Sequence, residues 1–324
     1  MKSARIIAAL PFALAAFGVP ATAVAQQKWP AKPVRMIVPF SPGAASDVLS
    51  RIVGQRLSEM YGEQFVADNR PGAGGLIGSQ LTKQAIPDGY TIAIVGQPHL
   101  SNALLRNPHP YEPLKDFAPI SLVAMTPNIL VIGKGVEAKT IPDLIALAKA
   151  KPGALNYGSA GVGSSSHIAG ALFASKAGIE VVHVPFRIGD SRSALIAGTI
   201  QYYIYPLPAI MPLIRSNTIR ALAIASPKRA PALPDVPTSA EAGFPQYQSV
   251  SWFGMIGPKG LPRSFVTRIN SDIGKILNDP AVRENVIKQG AEPSPDTPEQ
   301  FAKLQQDEYN ELADLIKKTG MKLQ

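Results

Sequence analysis

The chain has 324 residues, 46% hydrophobic and 17% charged: enough apolar material for about two domains and too little charge for a disordered chain. It contains no cysteine, which excludes disulfides, thiolate–zinc sites and a thiol nucleophile. The formal charge is +9, and the 31 prolines, about twice the usual share, follow no period that would indicate a repeat.

The first 25 residues differ from the rest. Lys2 and Arg5 precede an apolar run from Ile6 to Val19 broken by Pro11, and Ala23-Val24-Ala25 has the small-x-small pattern of a cleavage site. The run is short of the roughly 20 residues a membrane span needs. Residues 1–25 are therefore predicted to be a signal peptide, cleaved after Ala25, that exports a soluble protein. Losing Lys2 and Arg5 brings the charge to +7. No later stretch is long and apolar enough to enter a membrane.

Residues 34–39 predict a buried strand. Phe40, Ser41, Pro42, Gly43, Ala44, Ala45, Ser46 and Asp47 form a loop of small and turn-forming residues. A helix follows with Val48, Leu49, Ile52, Val53 and Leu57 on one face and Gly62 as its C-cap. Residues 65–67 predict a strand, 69–75 a turn, 76–85 a helix and 90–95 a third strand. Strand alternating with helix signals a parallel sheet with helices on both faces. The pattern then restarts. Residues 129–132 predict a strand, and Thr140-Ile141-Pro142-Asp143 starts a helix. Residues 155–158 predict a strand, 159–166 a second loop rich in Gly and Ser, and a helix runs on through His167. Further strands are expected at 181–184, 200–205 and 221–225. The last 60 residues or so read as helical, with Thr297 and Gln300 forming a capping box.

Two α/β units thus lie about 120 residues apart, each opening with strand, loop and helix, an arrangement that places a ligand in the crevice between them. The strand expected at 252–256 carries the chain back, so 26–125 with 250–324 is expected to form one lobe and 126–249 the other.

A strand-to-helix loop without large side chains leaves the first N–H groups of the helix open, and the helix dipole makes that end positive. Such ends suit a carboxylate or phosphate. Two of them, one led by Phe40–Asp47 and one by Gly158, Ser159, Gly161, Gly163, Ser164, Ser165 and Ser166, could hold one anion between the lobes; the alternative is ordinary helix capping. Asp47 is expected to cap or orient its loop, since an exposed carboxylate would repel an anion. His167, in the first turn of the second-lobe helix, and Pro98 and His99, after the third strand, are ligand candidates with packing or capping as the alternative. Arg187, after the strand at 181–184, is a candidate for a second carboxylate, against a solvated surface role.

No G-x-S-x-G elbow or H-E-x-x-H spacing occurs, and Gly72-Ala73-Gly74-Gly75-Leu76-Ile77-Gly78 misses the dinucleotide pattern by one residue. No catalytic residue, metal or cofactor is expected. The basic residues are scattered, which argues against nucleic acid.

These segments have a family resemblance. Trp29-Pro30-Ala31-Lys32-Pro33-Val34-Arg35, Val38-Pro39-Phe40-Ser41-Pro42-Gly43, Asn69-Arg70-Pro71-Gly72-Ala73-Gly74-Gly75, Pro87-Asp88-Gly89-Tyr90-Thr91, Asn156-Tyr157-Gly158-Ser159 and Leu233-Pro234-Asp235-Val236-Pro237-Thr238 resemble, in order, the Bug-type periplasmic receptors of tripartite tricarboxylate transporters. The resemblance covers essentially the whole mature chain. It implies a two-lobed periplasmic binding protein of type II-like fold, each lobe a mostly parallel sheet flanked by helices, that closes on a carboxylate held by the loops at 40–47 and 158–167. It also implies a two-component inner-membrane permease as partner. Departures are Ala44 in place of a common glycine and Pro185-Phe186-Arg187-Ile188 in place of a common Pro-Tyr-Lys-Gly. Residues 201–205 carry none of the acids many members have there, which argues against amino acids. The tyrosines Tyr202, Tyr203 and Tyr205, with Arg187, would suit a ring bearing one or two carboxylates, such as terephthalate, with strand packing as the alternative for the tyrosines; an aliphatic di- or tricarboxylate is the other expectation. The protein is expected to be a monomeric receptor. A ligand-presenting partner of a membrane sensor kinase and an exported enzyme are the competing classes.

Overall fold

The computed structural model describes residues 29–186 and 190–319; the signal segment and Arg187 lie outside the described residues. β1 (Val34–Val38) is an almost fully buried strand. α1 (Ala45–Tyr61) follows the loop and buries Leu49, Val53 and Leu57, spaced by four, against the sheet. It ends at Gly62, whose φ of 75° lets its N–H reach the Ser58 carbonyl. β2 (Phe65–Asn69), α2 (Leu76–Lys83), β3 (Thr91–Gly96) and α3 (Pro98–Leu104) complete the opening unit, with β2, β1 and β3 parallel.

β4 (Phe117–Ile132) leads to the second unit: α4 (Ile141–Ala150), β5 (Asn156–Ser159), α5 (Ser165–Ala177), β6 (Val182–Pro185), α6 (Asp190–Ile196), β7 (Tyr202–Pro206), α7 (Leu207–Arg215) and β8 (Arg220–Ile224). Here β6, β5 and β7 are parallel. β9 (Val250–Pro258) returns to the first lobe, followed by α8 (Arg263–Asn278), α9 (Pro280–Lys288), the short β10 (Glu292–Pro293) and α10 (Pro298–Thr319). Both sequence-legible caps form. Asp143 N–H donates to Thr140 Oγ1 and Thr140 N–H to Asp143 Oδ2, and Thr297 and Gln300 exchange the same pair of bonds.

The path of strands runs β2-β1-β3-β9-β4-β7-β5-β6. It is parallel at both ends and antiparallel through its middle, where β9 pairs β3 and β4, and β4 pairs β7. β4 belongs to both lobes: residues from Phe117 to Pro127 face β9, and those from Asn128 to Ile132 face β7. At the crossing, Asn128 Nδ2 donates to Ser249 Oγ at 2.7 Å and Ser251 Oγ donates to Asn128 Oδ1 at 3.0 Å. The first-lobe sheet is sandwiched between a core that takes Leu49, Ile269 and Val286 from its helices and one that takes Leu100, Phe301 and Leu312. In the second lobe Phe173 and Tyr202 anchor one core, and Tyr203 and Ile210 the other.

The sequence reading found the second half of β4 and not the first. Pro119 and Pro127 lie in that first half, and proline normally demotes a strand. The strand accommodates Pro119 with a register shift beside it, as bulges allow, and Pro127 is the last residue paired with β9. Prolines also hid α7, which takes Pro208 in its first turn and tolerates Pro212 inside.

Candidate functional site

Two strand-to-helix loops face each other across the lobes, and their backbones match. Gly43 and Gly163 have φ of 78° and 82°, and the next residues, Ala44 and Ser164, both have φ −71° and ψ 159°. The glycines are required here, because an L side chain pays about 1–2 kcal/mol in the left-handed region. Three residues past each N-cap a side chain reaches back to the glycine N–H: Asp47 Oδ2 accepts from Gly43 at 2.9 Å, and His167 Nδ1 accepts from Gly163 at 3.2 Å. Equivalent loops are thus tied by a carboxylate in one lobe and an imidazole in the other.

Asp47 is buried and also accepts from Arg51 and from Asn69, which in turn donates to the Phe40 carbonyl. Burial opposes its ionisation, but the bonds from Arg51, Gly43 and Asn69 outweigh that and hold the carboxyl below its usual value. His167 accepts through Nδ1, which places the proton of its neutral ring on Nε2. It stacks on His183 with centroids 4.1 Å apart, and His183 Nε2 lies 2.7 Å from Ser159 Oγ. Burial lowers the pKa of His167 to about 4. Burial, with repulsion from His167, lowers that of His183 to about 3. Ser164 caps α5 by accepting from the His167 N–H, and Ser166 Oγ accepts from the Ala160 N–H.

Among the described residues, no protein acceptor meets the N–H groups of Ala45, Ser46 and Asp47 in α1, or of Ser165 and Ser166 in α5. The Ser46 hydroxyl is buried without a partner. A cavity of about 20 Å³ lies against these first turns, lined by Phe40, Ala44, Ala45, Ser46, Ala160, Ser165, Tyr205, Pro206 and Phe253. A second, of about 10 Å³, adjoins it at Ala44 and Tyr205 and takes in Ser41, Pro42, Gly43, Ser191, Arg192 and Tyr203. Each has room for about one water, so the lobes are closed over the cleft. Ser101 Oγ donates across the lobes to the Gly163 carbonyl at 2.6 Å.

Of the expected site residues, Phe40, Ser41, Pro42, Gly43, Ala44, Ala45, Ser46, Ser165 and Tyr205 come together at the cavities. Asp47, Ser159, Gly161, Gly163, Ser164, Ser166 and His167 are engaged in shaping the two loops, and Gly158 packs close to Ile200. Pro98 and His99 do not reach the cavities. His99 is buried in the first lobe, 2.9 Å from Ser79 Oγ and stacked on Tyr111, because the cross-lobe side of α3 is formed by Ser101 and Asn102, which both meet Gly163. Sequence reasoning missed Arg192 and Phe253. Tyr203, one of the strand tyrosines the sequence singled out, shares a strand face with Tyr205 and lines the smaller cavity.

Comparisons with known proteins agree on the family. Residues 49–321 match the model of the tripartite tricarboxylate transporter family receptor. The chain is 34% identical to the BugT protein of Bordetella pertussis over 326 aligned residues, covering 100% of both chains. The fold superposes on an R. palustris protein solved with adipate, with a TM-score of 0.87, 34% identity, and 90% of this chain and 98% of that one covered. It superposes on the periplasmic binding protein BugD with a TM-score of 0.86, 29% identity, and 91% and 100% covered. The chain therefore belongs to the tripartite tricarboxylate transporter receptor family, whose Bug-type members are two-lobed solute-binding receptors and not enzymes.

Proposed function

We propose that the mature protein is a periplasmic receptor that captures a small organic carboxylate in the interlobe cleft and delivers it to a two-component permease of the inner membrane. The supporting observation is the pair of matched helix starts, with free N–H groups in their first turns and the unpartnered Ser46 hydroxyl at the cavity between them. Free donors at a positive helix end favour a carboxylate by roughly 0.3–2 kcal/mol per contact. The rings of Phe40, Tyr205 and Phe253 supply an apolar wall. This suits an aromatic dicarboxylate such as terephthalate, or an aliphatic di- or tricarboxylate; the adipate-bound relative is of the second kind.

In this reading the signal peptide is removed after Ala25, and the lobes comprise 26–125 with 250–324, and 126–249. They part to admit the ligand, and close because it contacts both lobes better when they are shut. A thermal-shift panel of aliphatic and aromatic mono- and dicarboxylates tests the proposal. A ligand at 100 times its Kd adds roughly 2.7 kcal/mol. Stabilisation by amino acids or sugars, with none by any carboxylate, would overturn it.

A further inference from the structure

Arg192 is the one feature of the cleft that the loops do not explain. It is half-buried on α6, lines the smaller cavity, and has no carboxylate partner among the described residues. Its one hydrogen bond among the described residues is from Nη1 to the Ala209 carbonyl at 3.3 Å, which orients the guanidinium and, among those residues, leaves most of its five donors unused. A partly buried guanidinium with donors to spare is suited to a charge-assisted, bidentate pair with an incoming carboxylate.

The surroundings select the kind of anion. Tyr203 and Tyr205 stack at 4.9 Å beside Arg192, and Ser191 Oγ donates to the Tyr203 hydroxyl. No acidic residue lines either cavity. The cavity of the helix starts and that of Arg192 meet at Ala44 and Tyr205, so one ligand can have an anionic end in each. Arg192 is a second-lobe residue that faces the first: a side chain grown from Gly43 would stand 3.9 Å from its Nη1.

We infer that Arg192 is the specificity-determining residue of the cleft: it receives the far carboxylate of a dicarboxylate whose near carboxylate rests on the helix starts, and by doing so at the lobe boundary it favours closure. The inference rests on the carboxylate-receptor reading. A monocarboxylate of the same length engages only the helix starts and closes the lobes less.

The test is calorimetric titration with matched pairs, adipate against hexanoate and terephthalate against 4-methylbenzoate, on the wild type, Arg192→Met and Arg192→Lys. In the wild type the better dicarboxylate binds about 10–100-fold tighter than its monocarboxylate match, the range of one charged hydrogen-bonded pair. Arg192→Met brings that ratio to about one, and Arg192→Lys restores part of it, since lysine keeps the charge without the bidentate fork. Small-angle scattering shows a smaller radius of gyration with the dicarboxylate in the wild type and a lesser decrease, equal to that given by the monocarboxylate, in Arg192→Met. A dicarboxylate preference that survives Arg192→Met unchanged overturns the assignment while leaving the receptor reading intact. If no carboxylate binds the wild type, the receptor reading fails and the inference with it.

Discussion

The two cleft loops share one backbone and differ in what holds it. In the first lobe Asp47 is ionised, buried and tied to Arg51 and Asn69, and Ala44 offers no capping side chain. In the second, His167 is neutral and stacked on His183, and Ser164 caps the helix with its hydroxyl. A glycine in the left-handed region followed by an acceptor four residues later is enough to build the turn. The chemistry of the acceptor is free to vary. What varies with it is sensitivity to charge, to protons and to capping.

The largest effect of a single substitution at neutral pH should come from removing the ionised anchor. Asp47→Ala strands the Gly43 N–H and removes the acceptor shared by Arg51 and Asn69, and should cost about 2–3 kcal/mol in denaturant unfolding, as loss of bonds to a charged group does. It should also weaken carboxylate binding, because the first loop loses its shape. A cost below about 0.5 kcal/mol would mean that Gly43 alone sets the turn.

Acid should divide the loops next. His167 and His183 have folded pKa values of about 4 and about 3, below the usual 6.5, so the unfolded chain binds more protons. Their contribution is present above pH 6.5 and is lost as pH falls toward 4, at up to about 1.4 kcal/mol per pH unit for each group. The Asp47 carboxyl, held below its usual value of 3.8, stays ionised through that window. Melting temperature should therefore fall between pH 6.5 and 4, less steeply in His183→Phe. An unchanged slope in that variant would separate His183 from the acid response; His99, also buried with a pKa of about 4, contributes to both proteins equally.

The smallest contrast concerns the caps. Ser164→Ala should cost about 1 kcal/mol, and Ala44→Ser should return a few tenths by supplying the hydroxyl the first loop lacks. Equal and negligible changes in chemical denaturation would show that neither cap matters.

The loops could be read from the sequence because small residues between an apolar strand and an amphipathic helix leave few alternatives, and the pattern occurs twice. Arg192 could not. It is a lone arginine in a short helix, and only the return of the chain along β7 and α7 sets it beside Tyr205 and Ala209. Arg187, nearer a strand end, carried that expectation in the sequence and lies outside the described residues. His99 sits away from the cavities because proximity to a strand end does not say which side of a following helix looks across the cleft. β4 was half hidden because it carries Pro119 and Pro127; Pro119 sits at an irregularity of register, and Pro127 at the end of the pairing with β9.

A strand that belongs to two sheets is also a mechanical element. At Asn128 the chain leaves one ladder for another, and that one side chain is pinned at both its amide nitrogen and its oxygen to Ser249 and Ser251 on the returning segment. Sliding the two crossing segments past each other would break both bonds and both ladders at once. Bending at the crossing needs only small changes in a few backbone torsions. The junction therefore resists shear between the two sheets at the point where they share a strand.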